Sequence, residues 1–322
     1  MLDTVRGSPR AATPESVGPG LAPGPHPERA RRRRTLSWLY LSPLALVLMM
    51  WIYGPMLSSA VLSFMDWDLA AGFGGWIGFE NYVDLFAQPE FLQASRQTLL
   101  YAVALLPFAT IVPMTLAIMM WQRVSKASQI YRVLLFLPIM VAPVANAVSW
   151  KFMLNPLQGL ANEVLGLFSI APVNWLGDPA IAPIMIVCVT AARVIAFNML
   201  IYSAALATIN RRTIDAARLE GATSVEVTRH IVMPQLVKTT VLLALLVVVM
   251  AGQWVFNYVS VLTQGGPDGS TDNVYYRIYA LGFTFFETGM ASAASMVVLA
   301  VFMAAWAILV MIQRRRKRAD AQ

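Results

Sequence analysis

The chain has 322 residues, 58% of them hydrophobic and 13% charged, with a formal net charge of +7. A soluble domain has roughly 45–50% apolar and about 25% charged residues, so lipid must solvate part of this surface. The single cysteine, Cys188, excludes a disulfide within the chain, and a zinc site needs more ligands than Cys188, His26 and His230 supply.

Residues 1–35 are rich in Pro, Gly, Ala and Arg, lack apolar periodicity, and are predicted to be a disordered basic segment. They end in Arg31–Arg34 and run straight into the apolar stretch from Leu36 to Phe64. A twin-arginine export signal would carry such arginines. The apolar run is too long for one, no small-x-small cleavage pattern stands out, and further apolar runs follow. A spanning helix needs about 20 apolar residues to cross a hydrocarbon core of about 30 Å. Six segments meet this: 38–64, 98–120, 132–153, 180–204, 238–258 and 288–312. Continuous apolar runs exclude barrel strands, which alternate over about 10 residues. Prolines at 43, 55, 107, 113, 138, 143 and 183 fall in or near these spans, where neighbouring helices can satisfy the freed carbonyls. The reading is an all-α integral membrane protein with six spans over 36–313 and a basic tail at 314–322.

Twenty of the 24 basic residues lie before the first span, after the second and fourth, or after the sixth. The alternate loops hold only Arg96 and Arg277, with Lys151 at a span end and Arg193 within a span. The positive-inside rule then places both termini in the cytoplasm. The basic residues flank apolar runs, so they read as topology signals rather than as a nucleic-acid surface. The outward loops carry Asp66, Trp67, Asp68, Trp76, Glu80, Tyr82, Asp84 and Glu90, which fits a solvated loop with an interfacial aromatic belt.

The inward loop at 210–236 is unlike a plain connection. Helix formers run from Ile214 to Glu220, and Gly221 stops them as a left-handed C-terminal cap. Thr223 and Glu226 then stand in capping-box spacing, predicting a second short helix that Pro234 closes. Ala216 and Ala217 give the first helix a small surface that lets another protein approach closely. The residues alone leave two readings open: a docking element for a cytoplasmic protein, or an amphipathic helix resting on lipid headgroups.

Asp215-Ala216-Ala217, then Gly221, nine residues to Ile231, and Met233-Pro234 resemble the EAA loop of binding-protein-dependent ABC importer permeases. The family pattern is Glu-Ala-Ala, three residues, Gly, nine residues, Ile-x-Leu-Pro. Spacing matches throughout, with Asp215, Glu220 and Met233 standing where Glu, Asp and Leu are usual. The resemblance extends over about 36–318. Phe64 to Asp68 with Gly78 to Tyr82 are similar to the first outer loop of the sugar permeases. Phe136-Leu137-Pro138, Pro143, Trp150, Gly159 and Asn162 resemble their third span and its outer end. Phe197 to Leu200 resemble their fourth span, and Val261 to Thr263, Gly265 to Pro267 and Thr271 the loop after the fifth. Together these point to the carbohydrate branch, and to the maltose F-type or glycerol-phosphate A-type member of the permease pair.

The resemblance implies a type I importer permease fold whose cytoplasmic coupling helix sits in a groove of an ATPase subunit. Asp215, Ala216, Ala217, Glu220, Gly221, Ala222, Ile231 and Pro234 are the implied docking residues. It also implies a second permease subunit, two ATP-binding cassette subunits, an external solute-binding protein, and the cell membrane of a prokaryote. No Gly-x-x-x-x-Gly-Lys-Ser/Thr run occurs, so ATP is expected on the partner subunits, with no catalytic residue and no bound cofactor or metal in this chain. A proton- or sodium-coupled carrier or a channel is the other class, and coupled carriers usually keep acids within spans. None of the six assigned cores contains Asp or Glu. Arg193 is the one charge deep in a span. It is expected either to bind a sister subunit or kinked-helix carbonyls, or to line the solute path with Asn198, Asn146, Gln253, Asn257 and Trp254. The expected solute is a sugar or oligosaccharide, with glycerol phosphate or a glycerophosphodiester as the alternative.

Overall fold

A computed structural model describes residues 40–122 and 126–319. The expected disordered segment 1–35 lies outside the described residues. Contacts divide the chain into a first unit ending at Leu57 and a second beginning at Ser58. Helix α1 runs Tyr40–Leu62. A hairpin follows, β1 Met65–Asp68 and β2 Gly72–Trp76, then α2 Glu80–Ala87. Next come α3 Pro89–Gln122, α4 Lys126–Met140, α5 Pro143–Met153, α6 Leu160–Leu167 and α7 Ala182–Ala207. Then follow α8 Arg211–Leu219, α9 Ser224–Leu262, α10 Val274–Tyr279 and α11 Thr288–Ala319.

Among the described residues, five helices, α1, α3, α7, α9 and α11, are long and apolar enough to cross a membrane by themselves. The segment expected as the third span, 132–153, is instead two shorter helices, α4 and α5, neither long enough to cross by itself, so the described residues give five such helices where six were expected. The reason is local. Pro143 has no N–H to donate and pushes Ala142 into an extended conformation, ψ 138°, so α4 ends before it and α5 starts on it. The halves pack on different neighbours, α4 against α7 and α5 against α9.

Proline also explains two π turns. At Met49–Tyr53 the Gly54 N–H bonds to Met49 C=O just before Pro55, and at Thr228–Val232 the Met233 N–H bonds to Thr228 C=O just before Pro234. In each case the widened ring absorbs the missing proline donor, and the helix continues. Pro234 therefore does not close a short helix as expected. It sits inside α9, which runs unbroken for 39 residues.

The second unit is organised around α7 and α9. The most apolar window of α7 is 44% buried and that of α11 only 6%, so α7 is central and α11 leaves its surface for lipid or protein. One apolar cluster joins Tyr101 and Leu105 of α3, Ile186 and Val189 of α7, and Val255 and Tyr258 of α9. A second joins Ile118 of α3, Met199 and Tyr202 of α7, Ile214 of α8, and Val227 and Leu236 of α9. A third, Leu85, Phe91, Val274, Leu281 and Ala294, packs α2, α10 and the start of α3 and α11 together.

The expected first outer loop is in part a two-stranded hairpin. Met65 pairs with Trp76 and Asp68 with Gly72, with a bulge between Asp66 and Trp67. Its turn is closed by Asp68, whose carboxylate accepts from the Ala70 and Ala71 N–H groups, and by Gly72 at φ +87°. The hairpin packs on α11.

Candidate functional site

The loop at 210–236 is built as two capped helices. Asn210 caps α8 by accepting from the Arg212 N–H at 3.0 Å. At the other end Ala222 N–H bonds to Ala217 C=O and Gly221 N–H to Arg218 C=O, both at 3.0 Å. That pair of bonds is a Schellman motif, and it places Gly221 at φ +92°. The Thr223–Glu226 capping box is present in both directions. Gln122, the last residue of α3, donates to the Thr228 hydroxyl at 2.7 Å and ties the loop to a neighbouring span.

Burial divides the expected docking residues. Asp215, Ala216, Glu220, Gly221 and Pro234 are exposed, whereas Ala217, Ala222 and Ile231 turn inward, partly buried against Ile214, Val227 and Val232. Two residues not singled out from the sequence stand out as well. Leu219 is 90% exposed and Val225 75% exposed, apolar tips on either side of the Gly221 turn. Leu219 lies five positions from the buried Ile214, about 140° around the helix, so its outward direction follows from helical periodicity.

Within the spans, a cavity of about 560 Å³ is lined by Ile139, Pro143, Arg193, Phe197, Gln253, Trp254, Asn257 and Tyr258, among others. Four of the six expected path residues, Arg193, Gln253, Trp254 and Asn257, meet there. Arg193 sits eleven residues into α7, roughly 17 Å of rise from its first residue. Its Nη1 donates to the Val141 carbonyl at 3.1 Å, in the break between α4 and α5. It also lies beside the Tyr258 hydroxyl, which donates to Asn146 Oδ1 at 3.3 Å. Asn146 is therefore one step back from the cavity lining.

Asn198 is not brought to the cavity. It is fully buried, and its Nδ2 donates to the Ala109 carbonyl at 2.7 Å. Ala109 is the residue four before Pro113, which has no N–H to return, so Asn198 supplies the donor that proline removes. Asn198→Leu is expected to lower stability by about 1–3 kcal/mol, the cost of a buried unsatisfied carbonyl, and to leave the solute-concentration dependence of uptake unchanged. Thermal midpoints in detergent, read beside uptake curves, check this. A changed KM with an unchanged midpoint would return Asn198 to the solute path.

Outside the spans, the loop after α9 holds Asp272, 7% exposed. Burial pushes its carboxyl up to about 6, against the backbone N–H of Asn273 and the charge of Arg277, which favour the ionised form. Arg277 itself pairs with Glu90 at 3.7 Å and donates to Gln88 at 3.3 Å, fastening this loop to α3.

No family model matches the chain. Among curated proteins it is 30% identical over 276 residues to the probable ABC transporter permease protein YurN of Bacillus subtilis strain 168, covering 85% of this chain and 94% of that one. It is 29% identical to the sn-glycerol-3-phosphate transport system permease protein UgpA of Pectobacterium atrosepticum, covering 80% and 85%. It is 26% identical to the trehalose/maltose transport system permease protein MalF of Thermococcus litoralis, covering 89% and 96%. Among solved structures, a chain of a bacterial ABC transporter that imports the acidic polysaccharide alginate superposes with a TM-score of 0.79 at 24% identity, over 89% of this chain and 98% of that one. The alginate transporter in complex with its pentasaccharide-bound periplasmic protein gives 0.75 at 24% identity, over 86% and 94%.

Proposed function

The chain belongs to the permease subunits of ABC transporters, and on that premise we propose that it forms one half of a permease pair importing a sugar or oligosaccharide into the cytoplasm. The observation that carries this reading is the continuity of α9. One helix begins at the exposed Gly221–Thr223 turn and ends beyond Gln253, Trp254 and Asn257 in the cavity wall. A displacement at the turn therefore reaches the cavity wall through one helix.

In this reading both termini lie in the cytoplasm of a prokaryotic cell, and α8 with the first turn of α9 docks on an ATP-binding cassette subunit. The assembly holds this chain, a second permease, two ATPase subunits and an external solute-binding protein. ATP binds and is hydrolysed on the ATPase subunits, and this chain supplies no catalytic group. Closure of the ATPase pair moves the docked loop and shifts a two-state bundle between outward- and inward-facing forms, an equilibrium biased by ATP and by loaded binding protein. Glycerol phosphate or a glycerophosphodiester is the second reading of the solute. It is favoured by the similarity to a permease named for sn-glycerol 3-phosphate.

The test is reconstitution. The chain, co-expressed with its neighbouring permease and ATPase genes and placed in proteoliposomes with the cognate binding protein, is expected to give solute-dependent, ATP-driven accumulation. A reporter fused within 210–236 is expected on the cytoplasmic face. A reporter found outside, or accumulation driven by an ion gradient without ATP, would overturn the proposal.

A further inference from the structure

The charge in the membrane cavity has no protein counter-ion among the described residues. Helices α4, α5 and α7 contain no Asp or Glu. Helix α9 contains only Glu226, in its first turn and 27 residues before Gln253, and helix α3 contains only Glu90, in its first turn. No acid lines the cavity. The one ion pair among the described residues is Arg277 with Glu90. The polar neighbours of Arg193 are neutral instead, the Val141 carbonyl at 3.1 Å and the Tyr258 hydroxyl beside it. Lys151, in the last turn of α5, shows the same habit and donates its Nζ to the Val261 carbonyl at 3.1 Å.

A guanidinium at this depth costs about 2.5–3.5 kcal/mol to insert, and leaving it without a counter-charge is the least favourable way to bury it. Fastening a broken helix does not require a charge, because an amide donates to a carbonyl equally well, as Asn198 does to Ala109. A neutral sugar does not require one either. Gln253 and Asn257 offer amides, and Trp254 an aromatic face. What the guanidinium adds is a fixed positive charge with five N–H donors, more than the Val141 carbonyl and the neighbouring Tyr258 hydroxyl use. That donor set matches a carboxylate or phosphate in bidentate geometry.

Resting on the import reading above, we propose that the transported solute is anionic, a carboxylated or phosphorylated carbohydrate, and that Arg193 is the residue that selects it. The anchor at Val141 orients the guanidinium, and the solute supplies the missing negative charge as it passes.

The test uses the intact importer in proteoliposomes with its binding protein, and solutes offered as matched pairs: oligogalacturonate against oligogalactose of equal length, glucuronate against glucose, sn-glycerol 3-phosphate against glycerol. Wild type is expected to accumulate the acidic member of a pair and not the neutral one. Arg193→Gln should reduce that uptake at least tenfold with the subunits still co-purifying, and Arg193→Lys should retain more of it. Accumulation of a neutral member overturns the charge assignment and leaves the import reading standing. Accumulation of neither member of any pair overturns both. Equal loss in the Gln and Lys variants, or a carboxylate of the second permease paired with Arg193 in the assembled importer, overturns the role of Arg193. The wild-type panel reads the charge of the solute even where a variant fails to assemble.

Discussion

Replacing Gly221 with valine is expected to reduce ATP-driven uptake by roughly 5- to 30-fold and to weaken retention of the ATPase subunits in parallel. The cause is backbone strain alone. A Cβ at this position would meet nothing within 4 Å, so no steric clash competes as an explanation. The φ of +92° is the obstacle. A side chain there costs about 1–2 kcal/mol, and a β-branched one is a stronger outlier. One to two kcal/mol corresponds to a roughly 5- to 30-fold change in an equilibrium. The strain falls on the two Schellman bonds, from Gly221 and Ala222, that set the angle between α8 and α9. Asparagine tolerates the left-handed region, so Gly221→Asn should stay close to the parent while Gly221→Val does not. Gly221 itself is exposed and belongs to no apolar cluster, so expression and thermal midpoint should change little in either variant. Copurification of the ATPase and uptake in proteoliposomes decide the matter. A valine variant that couples like the parent would mean that the turn does not set the docking geometry.

The loop was legible in the sequence because its determinants are local. Gly221 ends a helix and Thr223–Glu226 starts the next, and every partner lies within a few residues. The membrane-spanning helices were legible for a different reason, because hydropathy over about 20 residues needs no knowledge of partners. What the sequence hid depends on contacts across the fold. Asn198 read as a solute-path amide, yet its partner is a carbonyl 89 residues away, orphaned by a proline on another helix. The third span read as one helix because apolar content does not report chain direction, although Pro143 carried the signal for the break. Pro234 misled in the opposite sense, since a π turn lets the helix pass through it. In the hairpin, Met65-Asp66-Trp67-Asp68 alternates as a strand does. Its acids and aromatics also suit a solvated interfacial loop, and only the pairing with Gly72–Trp76 separates the two.

Leu219→Asp should release the ATPase subunits from the complex, with affinity falling roughly 10- to 100-fold. Leu219 is 90% exposed on a helix whose opposite face is buried, so its apolar surface is available to a partner. Burying a leucine side chain is worth about 1.5–3 kcal/mol, and each 1.4 kcal/mol is tenfold in affinity. An aspartate forfeits that term and also brings a charge that must be desolvated on docking. The same exposure would suit a helix lying on lipid headgroups, the second reading that the sequence left open. Leu219→Trp separates the two. Tryptophan is favoured at the membrane interface, so a lipid-facing Leu219 would tolerate or welcome it. A protein groove shaped for leucine rejects the extra volume, at about 1–3 kcal/mol for overpacking. Docking therefore predicts that both variants lose the ATPase, whereas lipid contact predicts that aspartate weakens the loop's membrane association and tryptophan preserves it. Val225, 75% exposed beyond the same turn, should behave likewise with a smaller effect, because it offers less area to bury. If Leu219→Trp retains the ATPase subunits and full uptake, the apolar tip of α8 faces lipid, and the docking contact must rest on the polar residues Asp215 and Glu220.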